Sequence, residues 1–477
     1  MNAPDTPDSA AMTVNAATAS ISQQLSRFAC DLRYDDIPQP VVARAKLLIL
    51  DAVGVALACT QYEFAHRVFD GIRGMADSGD CSVIGMTDKL PLRDAVLMNG
   101  VLVHGLDYDD SHLRAVLHPT VTSFITALGV AEKLDLSGRE LLTGYLLGIE
   151  TVVRIGTAAK GGFHHFGFHP TGLIAHFSCA ITAGKLYGLS AQQLTMAQGL
   201  AGSTAAATQE FLEEGAWNKR LHPGWASVAG ITAANLAHGG TIGPMRPYEG
   251  RLGIFNTHLK ELAAKVDYPA ITCELGETWE LMNVAVKPFP VCHFIHACGD
   301  AALTLRAKHA LKPGEIAQVT ALVPAETLHI IAEPVANKKR PGNDYDAKFS
   351  VHYFVAACLV RGRFGLSELE ADARNDTVIL ALAKKIEAVA DPDSRYPEFL
   401  SGGVIIKTVD GREYRCHEPV NRGAGERALT AGEIEAKYFA NARLALSEGR
   451  SVEVRDAVLN LDCMAARQLA ATLAAPA

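Results

Sequence analysis

The sequence predicts a mainly α fold, with a large all-helical domain and a smaller α+β domain. From Ser20 to about His238, apolar residues recur at helical spacing, and capping sequences precede several of the apolar runs. After a stretch rich in Gly and Pro between residues 239 and 280, strand-like and helix-like patterns alternate. Hydrophobic residues make up 49% of the 477 residues and charged residues 20%, which is a globular composition.

The helices of the first half are predicted from their apolar periodicity and from their first residues. Pro40 stands near the start of the apolar segment 39–59, where a helix needs no N–H group from it. Capping boxes at Ser137–Glu140 and Ser190–Gln193 predict two further helix starts. Apolar runs at helical spacing predict helices over residues 121–134, 141–155, 173–187 and 226–237.

The second half is predicted to mix strands and helices. Strands are expected at 282–288 and 316–323, a hairpin turned by Asp410-Gly411 at 404–416, and helices near 294–308, 350–361 and 376–389. A capping box at Thr430–Glu433 predicts a helical tail over 433–473 with a break near Gly449. We therefore predict a disordered tail at 1–19, a helical domain formed by 20–274 and 426–477, and an α+β domain at 275–425.

Charge and cysteine usage exclude several classes of protein. The net charge is −8 without any block of like charge, so we expect no nucleic-acid or membrane partner. The ten cysteines form no CxxC pair, which favours buried free thiols in a reducing compartment. The first residues lack the basic and apolar regions of a signal peptide. These features predict a cytoplasmic protein.

A dense polar cluster occupies residues 104–112, inside an apolar region. If the preceding helix continues, His104, Asp107 and Ser111 share one face. A carboxylate beside a histidine and a hydroxyl can transfer protons, and burial would raise the carboxyl pKa towards neutrality. The alternative is a solvated, acid-rich turn that closes a helix.

The dipeptide His-Pro occurs three times, at His118, His169 and His222, each time immediately before a predicted helix. Composition alone predicts roughly 0.75 occurrences. A helix N-terminus attracts anions and holds a neighbouring imidazole neutral, so three converging ends would suit a polycarboxylate. The alternative is that each histidine is an ordinary cap or surface residue.

Two lysines are candidate ligands for substrate carboxylates or for an enolate-like transition state. These are Lys219, just before the third His-Pro, and Lys287, which apolar residues flank. The alternative is solvated surface. We predict no metal site, because the two His/Cys clusters lack the spacing of zinc ligands; they comprise His164, His165 and His169, and Cys292, His293, His296 and Cys298.

Several blocks of sequence, in the same order, resemble the MmgE/PrpD family. That family includes 2-methylcitrate dehydratases, cis-aconitate decarboxylases and iminodisuccinate epimerases. In the decarboxylase branch a threonine is expected where Ser111 stands, and residues 113–117 do not reproduce the tryptophan-bearing insert of the dehydratase branch. The resemblance is carried by residues 48–51, 99–111, 118–119, 168–172, 219–224, 287–290 and 349–353.

The resemblance implies a large helical domain built from both chain ends, a smaller α+β lid domain and a homodimer. It also implies catalysis without a metal or an organic cofactor. By position, the resemblance implies a cleft between the two domains lined by Asp107, Ser111, His118, His169, Lys219, Lys287 and Tyr353. The group predicted to be catalytic comprises Asp107, His118, His169 and Tyr353. The group predicted to bind substrate comprises Ser111, Lys219, Lys287 and His222.

The leading prediction is a cofactor-independent lyase acting on a di- or tricarboxylic acid similar to 2-methylcitrate, citrate or aconitate. It would abstract a proton next to a carboxylate and then eliminate a leaving group. Its partner would be a small anionic carboxylate substrate. The alternatives are an epimerase or racemase of an amino-dicarboxylate such as iminodisuccinate, and a non-catalytic protein that binds polycarboxylates. A metal-dependent hydrolase is the least favoured.

Overall fold

The computed structural model describes residues 19–475, so the predicted tail at 1–19 lies outside the described residues except for Ala19. Between residues 19 and 260 the helices and strands are all helices apart from a short antiparallel pair, β1 (Cys81–Ser82) and β2 (Lys89–Leu90). The helices are α1 (Ile21–Asp31), α2 (Gln39–Cys59), α3 (Glu63–Arg73), α4 (Leu92–His104), α5 (Pro119–Leu134), α6 (Gly138–Ala158), α7 (Gly162–His165), α8 (Pro170–Leu186), α9 (Ala191–Ala201), α10 (Phe211–Glu214), α11 (His222–His238) and α12 (Ile254–Leu259).

The second half combines helices with one larger sheet. Its helices are α13 (His296–His309), α14 (Leu328–Ile331), α15 (Val335–Lys339), α16 (Asp344–Lys348), α17 (Val351–Arg361), α18 (Ala371–Arg374) and α19 (Thr377–Ala383). The strands are β3 (Ile316–Val323), β4 (Ile386–Ala390), β5 (Gly402–Thr408) and β6 (Glu413–Glu418). Three helices end the chain, α20 (Ala431–Ala442), α21 (Glu448–Leu459) and α22 (Ala466–Leu473).

Local sequence signals place the helix starts. The predicted capping boxes at Ser137, Ser190 and Thr430 are all formed, with each hydroxyl accepting from the backbone N–H three residues later. Pro119 and Pro170 occupy the first position of α5 and α8, so His118 and His169 are the N-cap residues of those helices.

The large core is formed by helices from both parts of the chain. Its buried residues run from Ile21 to Val286 and again from Leu429 to Leu473. Helices α4 and α11 meet at backbone distance: a Cβ atom on Gly224 would lie 2.4 Å from the carbonyl oxygen of Leu97. This close approach fixes α11, which begins with the third His-Pro pair, against α4.

Helix α6 is long and apolar enough to cross a membrane, but 94% of its apolar window is buried inside the protein.

The sheet has the order β4-β3-β5-β6. Strand β4 is parallel to β3, and β5 pairs antiparallel with both β3 and β6. Helices α13 and α17 pack beside it, and a second core is formed by Phe211 together with buried residues from Phe289 to Ile406. The mainly α fold with a smaller α+β part is therefore confirmed, whereas the domain boundaries stay a prediction.

Three predicted elements of the second half are wrong in detail. The strand predicted at 282–288 is not formed. Residues 280–283 form a 3₁₀ turn, and within 282–288 only Ala285 pairs, with Ser111. The helix predicted over 376–389 ends at Ala383, because the β-branched segment after it pairs with β3. The break predicted at Gly449 lies at residues 443–447, and Gly449 is within α21.

Candidate active site

A cleft of about 690 Å³, including its open mouth, is lined by residues from both cores. Of the eight predicted site residues the structure brings six to this cleft, and it does not bring His222 or Tyr353 to the lining. The six are Asp107, Ser111, His118, His169, Lys219 and Lys287.

The loop after α4 carries the acidic part of the site. Helix α4 ends at His104, and Asp107 has a left-handed backbone with φ of 52°. The single helical face expected for His104, Asp107 and Ser111 is therefore not formed. The loop is a turn, as the alternative held, but it is buried instead of solvated. Ser111 is fixed by antiparallel pairing with Ala285.

Asp107 binds both candidate lysines. Its Oδ2 lies 3.1 Å from Nζ of Lys219, and its Oδ1 lies 3.0 Å from Nζ of Lys287. Lys287 also donates to the backbone oxygen of Asp107 at 2.7 Å. Burial by itself would raise the pKa of Asp107, but the two ammonium groups outweigh it and hold that pKa well below its usual range. The expectation of a raised pKa is therefore wrong, and Asp107 is a carboxylate in the free site.

Three imidazoles pack together beside this carboxylate. The ring of His104 lies 4.8 Å from that of His118 and stacks at 5.4 Å on that of His169. His104 Nδ1 lies 2.8 Å from a carboxylate oxygen of Asp109. Burial lowers the pKa of His118 to about 3 and lowers that of His169 well below its usual range. Both rings are therefore neutral near pH 7, available as hydrogen-bond donors or acceptors.

His222 lies behind His169 instead of on the cleft surface. The two Nδ1 atoms are 3.1 Å apart, so one of them carries the shared hydrogen. His222 is the first residue of α11 and does not precede that helix as predicted. Its contact is with a catalytic candidate, so we assign it a positioning role instead of direct substrate binding.

Tyr353 is buried in the second core, and the prediction that it lines the cleft is corrected. Its hydroxyl donates to the backbone oxygen of Glu368 at 2.6 Å. The cleft is lined instead by Phe349, from the turn before α17, whose ring lies 5.2 Å from Nζ of Lys219. Helix α17 begins only at Val351, so it directs Tyr353 inward and leaves Phe349 at the cleft.

Several residues that form the site are not among the eight predicted site residues. Asp109 and His104 lay in the polar cluster it identified, and His293 lay in a cluster it weighed only as metal ligands. His293 lines the cleft, with its Nε2 atom 2.9 Å from the Asn421 amide. The available signal was a run of polar residues in apolar surroundings, which predicts burial but not pairing.

A buried ion pair holds the acidic loop from behind. Lys437 of α20 lies 2.8 Å from Asp51 of α2 and donates to the backbone oxygen of Tyr108 at 2.9 Å. Burial raises the pKa of the Asp51 carboxyl, which the ammonium group opposes. The last helices of the chain therefore support the loop that carries Asp107.

Replacing Lys437 with methionine is expected to lower the free energy of unfolding by about 3 kcal/mol, because Asp51 is left buried without its partner. Urea unfolding measures this loss. The double variant Asp51→Asn, Lys437→Met removes both charges and should recover at least about 1 kcal/mol. A single variant that unfolds at the midpoint of the unmodified protein would show that the pair does not stabilise the loop.

Two groups of side chains are close enough to share a metal ion. Within each group the ligand atoms lie within 4.8 Å of one another; the groups are His104, His118 and His169, and Asp107, Asp109 and His118. Neither group is one of the two His/Cys clusters that the sequence offered as metal ligands. Imidazole nitrogens suit Zn²⁺ or another divalent transition ion. However, the ammonium groups of Lys219 and Lys287 already lie about 3 Å from the Asp107 carboxylate. They would repel a metal cation bound to the same carboxylate.

Comparison with known proteins places the chain in one family. The model of the MmgE/PrpD N-terminal domain matches residues 23–266, and that of the MmgE/PrpD C-terminal domain matches residues 289–462. The cis-aconitate decarboxylase-like protein oryM of Aspergillus oryzae is 26% identical over 95% of this chain and 97% of its own length. Cis-aconitate decarboxylase of Homo sapiens is 28% identical over 90% of this chain and 89% of its own length. Since the two models together match most of the sequence, the chain belongs to the MmgE/PrpD family.

Proposed function

We propose that this protein is a lyase that removes carbon dioxide from an aconitate-like acid, without a metal or an organic cofactor. The observation that carries the proposal is the Asp107 carboxylate held between Lys219 and Lys287 beside neutral imidazoles. The relatives reported above are named as cis-aconitate decarboxylases or as similar to them, which favours decarboxylation over dehydration or epimerisation.

In such a reaction the bond between carbon and the departing carboxylate breaks, and its electron pair moves onto the neighbouring carbons. A second carboxylate next to those carbons takes up part of the charge, as an enolate-like intermediate. Lys219 and Lys287 can bind that carboxylate, and their charges favour the intermediate more than the ground state. The departing group becomes neutral, so it needs no cation of its own. The predicted first step, proton abstraction, is replaced by loss of carbon dioxide.

A proton must then be delivered to carbon, and the two histidines of the cleft have different hydrogen-bond patterns. His118 Nδ1 lies 2.8 Å from the backbone oxygen of Asp110, to which it can only donate. The Nε2 atom of neutral His118 is therefore an acceptor. Within residues 19–475, His169 Nε2 has no hydrogen-bond partner. If His222 donates to Nδ1 of His169, then Nε2 carries the hydrogen, and His169 is the proton donor we propose.

Release of carbon dioxide from a panel of acids tests the proposal. The purified protein is incubated with cis-aconitate, trans-aconitate, citrate and 2-methylcitrate, and carbon dioxide is measured by mass spectrometry. We expect release from the unsaturated acids and none from citrate. Water loss from citrate or 2-methylcitrate without carbon dioxide would favour a dehydratase, and tight binding of every acid without turnover would favour a binding protein.

Chelation tests the predicted independence from metal. Dialysis against EDTA or 1,10-phenanthroline is expected to leave kcat within about twofold of the untreated protein, because the lysines supply the positive charge that a metal would otherwise supply. Each sample is assayed again after adding Zn²⁺ or Mg²⁺. Loss of turnover that one of these ions restores would assign the histidine group to a metal.

A further inference from the structure

Part of the cleft wall is apolar and continuous with the second core. Phe211, Ile330 and Phe349 are buried members of that core, and Leu212 and Phe294 pack against it. Leu212 and Phe294 are only half-buried, so apolar surface remains open inside the cleft. An apolar group of a ligand would cover this surface, and a charged group would lose its hydration there without gaining a partner.

The polar group beside Phe294 carries no charge at neutral pH. The ring of His164 lies 6.1 Å from that of Phe294, nearly perpendicular to it. Burial lowers the pKa of His164 to about 4, so the imidazole is neutral near pH 7. His164 can therefore donate or accept one hydrogen bond but cannot neutralise a carboxylate.

The positive charge in the described part of the cleft is enough for two substrate carboxylates. Within residues 19–475, Lys219 and Lys287 are the cations that line the cleft, and no arginine does. Both bind Asp107, so two positive charges and one negative charge leave a net charge of one. The two carboxylates that a decarboxylated product keeps would occupy both ammonium groups. Phe211 and Phe349 lie 6.0 Å and 5.2 Å from Nζ of Lys219. The rest of the wall, Phe294, Ile330 and Leu212, has apolar side chains that cannot neutralise a further carboxylate.

We infer that the natural substrate is an alkyl-substituted acid of the aconitate type, with its alkyl chain, longer than a methyl group, against Phe294, Ile330 and Leu212. This inference rests on the proposed function, because it assigns the remaining carboxylates to the two lysines. The two lysines and these apolar side chains line the same cleft, so one molecule can contact both.

Binding of 2-substituted succinates tests the inference, since these saturated acids do not react. Calorimetry at pH 7.5 compares succinate with its methyl, propyl and pentyl derivatives and with tricarballylate, which is succinate bearing a carboxymethyl group. We expect Kd to fall roughly threefold with each added methylene. We also expect pentylsuccinate to bind at least about tenfold more tightly than tricarballylate. Affinity that stays constant or falls along the series, or tightest binding of tricarballylate, would overturn the inference.

A pair of variants places the alkyl chain in the cleft. Phe294→Ser is expected to reduce the ratio of the succinate Kd to the pentylsuccinate Kd by about fivefold. Leu252→Ser removes an apolar side chain that is 72% exposed and lies outside the cleft, and should keep the ratio of the unmodified protein. Equal ratios in both variants would contradict the assignment of the wall.

The results also separate this inference from the proposed function. If the protein releases carbon dioxide from cis-aconitate but shows no gain along the alkyl series, the alkyl chain is refuted and the proposed function stands. If no acid binds or reacts, both fail. If the alkyl series binds with rising affinity and no aconitate-type acid loses carbon dioxide, the proposed function fails, and the inferred substrate, which depends on it, fails as well.

Discussion

Replacing Lys287 with methionine is expected to lower kcat/KM for the true substrate by about 10²- to 10³-fold. The ammonium group is buried, donates to Asp107 and faces the cleft, so its charge acts on the transition state with little screening by water. Steady-state kinetics on the proposed acids measures the loss. Methionine keeps the length of the side chain, so the charge is the main change.

The matched control for this variant is Lys312→Met, which removes an exposed lysine outside the cleft. It should leave kcat/KM within about twofold. The companion variant Lys219→Met should raise KM as well as lower kcat, because Lys219 is assigned to a substrate carboxylate. If both cleft variants bind and convert substrate as the unmodified protein does, the lysines do not hold the carboxylates.

Acidification from pH 7 to pH 5 is expected to destabilise the fold steeply. Burial lowers the pKa of at least five histidines, so the folded protein keeps them neutral, whereas in the unfolded chain they take up protons near pH 6.5. The unfolded state then binds more protons, and the free energy of unfolding falls as pH falls. These histidines are His118 (pKa about 3), His176 (pKa about 4), His169, His293 and His296.

Buried carboxyl groups oppose this effect. Burial raises the pKa of Asp110 and of Glu150 to about 7, so each binds a proton in the folded state that the unfolded state releases. Burial also raises the pKa of Asp51 and of Asp300. Five protons less at most four leaves at least one, or at least about 1.4 kcal/mol per pH unit near pH 5. Urea unfolding at several pH values gives this slope. His296→Gln should reduce it by about one proton, while substitution of the exposed His66 should not; a flat profile from pH 7 to 5 would contradict the account.

Local signals in the sequence predicted most of the helices and much of the sheet. The capping boxes at Ser137, Ser190 and Thr430, the strand at 316–323 and the hairpin around Asp410-Gly411 all depend on residues close in the chain. Parallel pairing of β4 with β3 depends on residues some 65 positions apart, so the segment after Ala383 could not be distinguished from a continuing helix.

The site was predictable in its residue types and less so in its contacts. The histidines of His118-Pro119 and His169-Pro170 lie at helix starts and reach the cleft, as the motif indicated. The pairing of Asp107 with two distant lysines could not be read from spacing, and it reverses the direction of the Asp107 pKa. Tyr353 was misplaced because the start of α17, two residues after Phe349, decides which aromatic ring faces the cleft.

Proton NMR in heavy water with cis-aconitate tests the proposed decarboxylation. We expect that the substrate signals disappear, that signals of a decarboxylated unsaturated diacid replace them, and that one carbon of the product carries deuterium from the solvent. The Lys287→Met protein should give the same product at least about 100-fold more slowly. Exchange of a proton without loss of carbon dioxide, or unchanged cis-aconitate after prolonged incubation with folded protein, would contradict it.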